Sequence, residues 1–124
     1  MREPNMRSLK FRAWDTVDGV MWLWPAVRFF KMQEFEENTA YIFLQYIGRK
    51  DANGKEIYEE DIVRFATRIP RIEVVEWLDG AAGFDPFIDP DEQDDTCSVP
   101  KPEDCEVIGN RFENPELVPG EGEW

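Results

Sequence analysis

From Leu9 onward the chain interleaves apolar residues with Lys10 and Arg12. That two-residue period predicts a half-buried strand over residues 9–14. Asp18-Gly19 supplies a turn, and Val20-Met21-Trp22-Leu23-Trp24 then predicts the return strand of a first hairpin, ended by Pro25. Residues 27–35 fit a strand (Val27, Phe29, Lys31, Gln33) slightly better than a short helix (Val27, Phe30, Lys31, Glu34), with a helical turn as the alternative. Residues 40–46 have the Tyr, Ile, Phe and Leu density of a central strand. Asn53-Gly54 predicts a tight turn, because both residues tolerate positive φ. Short strands are predicted at 57–58, 62–65, 72–77 and 106–112, with 83–88 as an edge strand or loop. Many short strands with closely spaced turn signals predict a mainly β, single small domain of antiparallel strands, barrel- or sandwich-like. The expected core gathers Trp14, Phe43, Ile62, Phe65, Val75 and Ile108.

Residues 85–106 break this rhythm. Asp85, Asp89, Asp91, Glu92, Asp94, Asp95, Glu103, Asp104 and Glu106 face Lys101 alone, and Pro86, Pro90, Pro100 and Pro102 interrupt the stretch. Dense like charge and missing ladder donors predict a long exposed acidic loop, partly mobile unless a partner orders it. Residues 1–8 read as a loose lead-in. Residues 118–124 have linker composition, ending in a Trp124 that is either frayed or docked on another surface.

At 124 residues the chain fits one domain (1–124). Its net charge of −13 is concentrated in residues 76–124, because residues 1–75 hold 12 basic and 12 acidic side chains. Such a surface repels nucleic acid and membranes and attracts basic protein surfaces; its bland role is to keep an aromatic-rich chain soluble. No apolar run reaches the ~18 residues of a membrane span, and the N-terminus has no apolar signal region. Without secretory context, Cys97 and Cys105 read as reduced thiols, and a cytoplasmic location is expected.

The chain has no His, which removes the commonest general base near neutral pH and the commonest metal ligand. Its two cysteines are too few for a structural zinc site, and its glycines sit singly in turns rather than in a phosphate-binding loop. Residues 89–95 resemble a calcium loop only superficially, since Asp94 stands where an EF-hand needs Gly and Pro100 where it needs Glu. Asp51 and Asn53 are better explained by the turn at Gly54, and Glu59, Glu60 and Asp61 read as solvated turn residues. No catalytic residue, cofactor or metal is expected. Two surfaces stand out. Asp89, Asp91, Glu92, Asp94 and Asp95 are candidate contacts to a protein partner with a basic surface. Lys10, Arg12, Arg64, Arg68 and Arg71 form the alternative: a nucleic-acid surface, in which Lys10 and Arg12 project from one exposed strand face beside Trp22 or Trp24. Charge balance in the N-terminal half disfavours the second.

Four blocks of sequence, in order, resemble the YopX family of phage and prophage proteins. They are Leu9-Lys10-Phe11-Arg12-Ala13-Trp14-Asp15, the hairpin segment from Leu44 to Val63, Val74-Val75-Glu76-Trp77 followed by Gly83-Phe84, and the closing run from Glu106 to Leu117. Glu60 departs from the pattern, standing where the family carries Gly before Asp-Ile-Val, and the acidic insert after Phe87 is unusually rich. The family has no settled activity. The resemblance implies a phage- or prophage-derived protein inside a bacterial host cell; the acidic surface adds the expectation of a non-catalytic accessory protein that binds a host or phage protein, with inhibition of a nucleic-acid-handling system as the finer reading. Aromatic surplus and edge strands also suggest a homo-oligomer.

Overall fold

The computed structural model describes residues 9–31, 40–66, 71–80, 83–87 and 101–119. Among these residues, nine strands and one short α-helix follow in order: β1 (Phe11–Asp15), β2 (Val20–Trp22), α1 (Trp24–Val27), β3 (Tyr41–Lys50), β4 (Glu56–Tyr58), β5 (Asp61–Phe65), β6 (Arg71–Val74), β7 (Glu76–Leu78), β8 (Gly83–Asp85) and β9 (Cys105–Asn110). All pairings are antiparallel. One sheet runs β2-β1-β3-β4, a second runs β6-β5-β9, and β7-β8 form a two-stranded ribbon.

The first hairpin closes through Asp15, whose Oδ1 accepts the N–H groups of Val17 and Asp18, while Gly19 takes the left-handed conformation the turn requires (φ 65°). The predicted return strand is shorter than its apolar run. Pro25 sits in the first turn of α1, where a missing N–H costs nothing, so residues 24–27 coil instead of pairing. This corrects the expected strand over 27–35 in favour of its helical alternative as far as residue 27; positions 28–31 are not strand, and 32–39 lie outside the described residues. The turn has a purpose. It packs α1 onto β1, where Val27 and Ala13 are both fully buried.

The main core cluster is Ile57, Val63, Phe65, Val75, Cys105 and Val107, with Ile47, Phe84 and Phe87 packed against it. Of the six residues expected in the core, Ile62, Phe65 and Val75 are buried. Trp14, Phe43 and Ile108 are only half-buried. Trp14 stacks on Phe112 at 5.4 Å, and Phe43 joins Phe30 and Tyr41 in a separate aromatic group under the α1 turn. The pairing of β5 with β9 shifts by one residue between Ile62 and Val63, so Val107 rather than Ile108 points into the core. The expected strand 72–77 is also divided. Val75 leaves the ladder to exchange backbone hydrogen bonds with Glu60 and Asp61, and β7 starts beyond it in a different sheet.

Strand β9 begins at Cys105, inside the predicted loop. Pro102 is buried in the 3-10 turn Pro102–Asp104, and Cys105 carries a buried free thiol whose pKa burial pushes up to about 12. Val118 is buried too, so the expected linker starts at least one residue later; positions 120–124 lie outside the described residues. The predicted turn at Asn53-Gly54 is present, with Gly54 at φ 81°. Glu60 has φ 68°, the left-handed conformation that glycine adopts freely. That explains why the resembled pattern carries Gly there.

Among the described residues, no helix is long and apolar enough to cross a membrane.

Candidate interaction site

Two buried carboxylates lock the sheets together. Asp51 Oδ1 accepts the N–H groups of Asn53 (2.9 Å) and Lys55 (2.8 Å), which shapes the β3–β4 turn. Its Oδ2 accepts the N–H of Val107 at 2.9 Å, and Ala52 N–H donates to the Cys105 carbonyl, so the hairpin tip is clipped onto β9. Burial pushes the Asp51 carboxyl up, but the N–H groups of Val107, Lys55 and Asn53 outweigh it, and the pKa lies below the ordinary aspartate value. Asp51→Asn is expected to cost about 2 kcal/mol at neutral pH, because an amide has one acceptor oxygen where three N–H groups need two. A depressed pKa supplies stability above the unfolded value of about 4 and loses it as pH falls through the folded one, so the penalty should shrink in acid. Urea titrations of both proteins across acid pH measure this; a penalty that grows in acid would refute it.

The second carboxylate is Asp61, 1% exposed, so it is not the solvated turn residue expected. Its Oδ1 meets Arg12 Nη2 at 2.5 Å and its Oδ2 accepts the Tyr58 N–H at 2.8 Å, while the Arg12 guanidinium lies 4.8 Å from the centre of the Tyr58 ring. Burial raises the Asp61 pKa against the opposing pull of Arg12.

These pairings correct the predicted cationic surface. Lys10 and Arg12 are not an open cationic pair: Arg12 is buried in β1, and Lys10, partly exposed just before it, is paired with Glu56 at 2.5 Å and lies 5.4 Å from the centre of the Tyr46 ring. Trp22 and Trp24 do not join them in a stacking platform. Trp22 Nε1 donates to Asp15, and Trp24 packs on Phe11 at the edge of a shallow cleft shared with Arg12 and Tyr58. Arg64 pairs with Glu106 at 3.2 Å and Arg71 with Glu73 at 2.8 Å, both on the surface. Arg68 lies outside the described residues, as do Asp89, Asp91, Glu92, Asp94, Asp95 and Cys97.

A polar cleft of about 270 Å³ opens where β6, β7 and β8 converge, lined by Glu73, Glu76, Asp85 and Arg111 with Val74, Val118 and Pro119. Arg111 bridges Glu60 (3.0 Å) and Glu76 (2.5 Å), and Arg71 engages Glu73. Asp85 forms no ion pair among the described residues. Burial, then the nearby charges of Glu73 and Glu76, raise its pKa. Glu60 is raised as well, first by burial, with Arg111 opposing. Sequence reasoning had no means of grouping Glu73 with Glu76. Three residues apart on a continuous strand they would face opposite ways, and the break at Val75 is what brings both to one cleft. Asp85 was visible as the first acid of the 85–106 run, and the structure places it at the cleft from which that run departs.

The fold has a solved counterpart. The crystal structure of protein EF1440 from Enterococcus faecalis superposes with a TM-score of 0.60 at 23% identity, covering 91% of this chain and 99% of that one. At that identity the likeness shows the fold alone. No curated protein matches the chain. The model of the family described as YopX protein matches residues 27–119, which hold β3 to β9, the Asp51 clip and the acidic cleft while β1 and β2 precede the match; this chain belongs to the YopX family.

Proposed function

We propose that this chain is a phage- or prophage-derived, non-catalytic accessory protein that binds a host or phage protein through an acidic face. The finer reading is inhibition of a nucleic-acid-handling system. The observation that carries it is the cleft of Glu73, Glu76 and Asp85, whose carboxylates outnumber the guanidiniums of Arg71 and Arg111. Asp85 opens directly into the sequence that carries Asp89, Asp91, Glu92, Asp94 and Asp95. A basic partner surface would offset the charges of Glu73 and Glu76, which add to burial in raising the Asp85 pKa. Of the five cations of the nucleic-acid reading, the four described, Lys10, Arg12, Arg64 and Arg71, are each paired with a carboxylate, which favours a protein partner. Glu60 and Asp61 are engaged by Arg111 and Arg12.

Converting Asp89, Asp91, Asp94 and Asp95 together to Asn tests the reading. The variant should fold as the parent does, since like charges in one stretch mainly repel one another. Recovery of a defined protein from lysogenic host extract should fall, and its salt dependence should shrink, because steering by these charges is screened over about 10 Å at 0.1 M salt. Unchanged recovery would eliminate the acidic-face reading. Oligonucleotide affinity that rises well above the parent's while protein recovery holds would replace it with the nucleic-acid reading.

A further inference from the structure

We infer that the free edge of β2 is a self-association seam, through which two copies of this chain pair antiparallel into one continuous sheet. This does not rest on the acidic-face reading and involves the opposite end of the β2-β1-β3-β4 sheet from the hairpin clipped to β9. Among the described residues β2 pairs with β1 alone, so its other side presents unpaired backbone groups. The edge is short, three residues, but within it there is no Lys, no Pro and no bulge to turn a second strand away. Its side chains are apolar and open to solvent, with Val20 45% and Trp22 38% exposed, flanked by Val17 at 77% and Leu23 at 60%.

Charge identifies the occupant. One residue in three of this chain is charged and its net charge is −13, so two copies repel each other across most of their surface. The twelve residues from Thr16 to Val27 hold a single charge, Asp18. A basic partner gains nothing from such a strip, whereas a second copy finds there a face on which its own charge is absent. An antiparallel seam centred on Met21 is self-complementary, setting Val20 of one copy against Trp22 of the other. The two Asp18 carboxylates, in the turns that precede β2, would then sit at opposite ends of the seam rather than face to face.

Sedimentation equilibrium of the full chain at micromolar concentrations should give twice the 14.6 kDa chain mass. Val20→Lys should weaken the dimer at least about tenfold by placing a charge from each copy in the seam. Leu78→Lys, a matched change at an exposed apolar site on β7, should leave it intact. Circular dichroism melts of both variants should overlay the parent's, and if Val20→Lys fails to fold, Val20→Thr with Leu23→Lys serves in its place. A monomeric parent overturns the proposal. So does a dimer that survives the β2 changes, one that Leu78→Lys dissolves, or an open assembly of larger mass.

Discussion

Replacing Arg12 by Met is expected to cost about 3–5 kcal/mol at neutral pH, far more than the same change at a surface arginine. The reason is Asp61. It is 1% exposed, and Arg12 is the only cation that meets its carboxylate among the described residues. Taking Arg12 away strands that charge, and burial alone already raises the Asp61 pKa. A carboxylate whose folded pKa is raised weakens the fold most above that pKa and least below the unfolded one. The loss should therefore shrink as pH falls toward about 4. Asp61→Asn is the mirror experiment, leaving the guanidinium without its counter-ion, and should cost a comparable amount. Combining Arg12→Met with Asp61→Asn removes both charges while keeping an acceptor for the Tyr58 N–H, so the double variant should lose less than the sum of the singles by about 2 kcal/mol or more. Urea denaturation of the four proteins completes the cycle. Additive losses would show that the two side chains contribute independently, and the inter-sheet lock would have to be abandoned.

Phe65→Ala should be similarly damaging, at about 3–5 kcal/mol, through a different mechanism. Phe65 is 3% exposed, pairs with Cys105 across the β5–β9 ladder, and meets the Phe87 ring at a centroid distance of 6.1 Å. Truncation removes the contact between the second sheet and the segment after β8, leaving a void that Ile57, Val75 and Val107 cannot all collapse to fill. The urea midpoint should fall with an unchanged slope. A loss under about 1 kcal/mol would mean that the site repacks, and Phe65 would not be the centre of this cluster.

Much of the β framework was legible because two-residue alternation and turn residues are local signals. The hairpin at Asn53-Gly54, the central strand from Tyr41 and the strand Asp61–Phe65 all follow from them. What failed was non-local. An apolar run from Val20 to Trp24 looks uniform, yet Pro25 and the buried face of Ala13 draw its end into a helical turn. Lys10 and Arg12 looked like a solvated face, because nothing near them in sequence announces Glu56 and Asp61, more than forty residues away. The one-residue shift beside Ile62 exchanged Ile108 for Val107 in the core, and a shift of that kind is decided by pairing geometry between strands. At the candidate site, the break at Val75 did the same for Glu73 and Glu76.

The pairing of β5 with β9 has an evolutionary consequence. These strands join Asp61–Phe65 to Cys105–Asn110, so the chain between them, β6 to β8 and the acidic stretch included, is an excursion from a frame closed at its base. Asp51 fastens the same frame from the hairpin side through the Val107 N–H. Once a frame is closed in this way, doubling the length of a connecting loop costs only about 0.6 kcal/mol. With Phe87 packed on the core and Pro102 buried at its two ends, the stretch between them can therefore differ in length or charge from one relative to the next at little cost to the sheets.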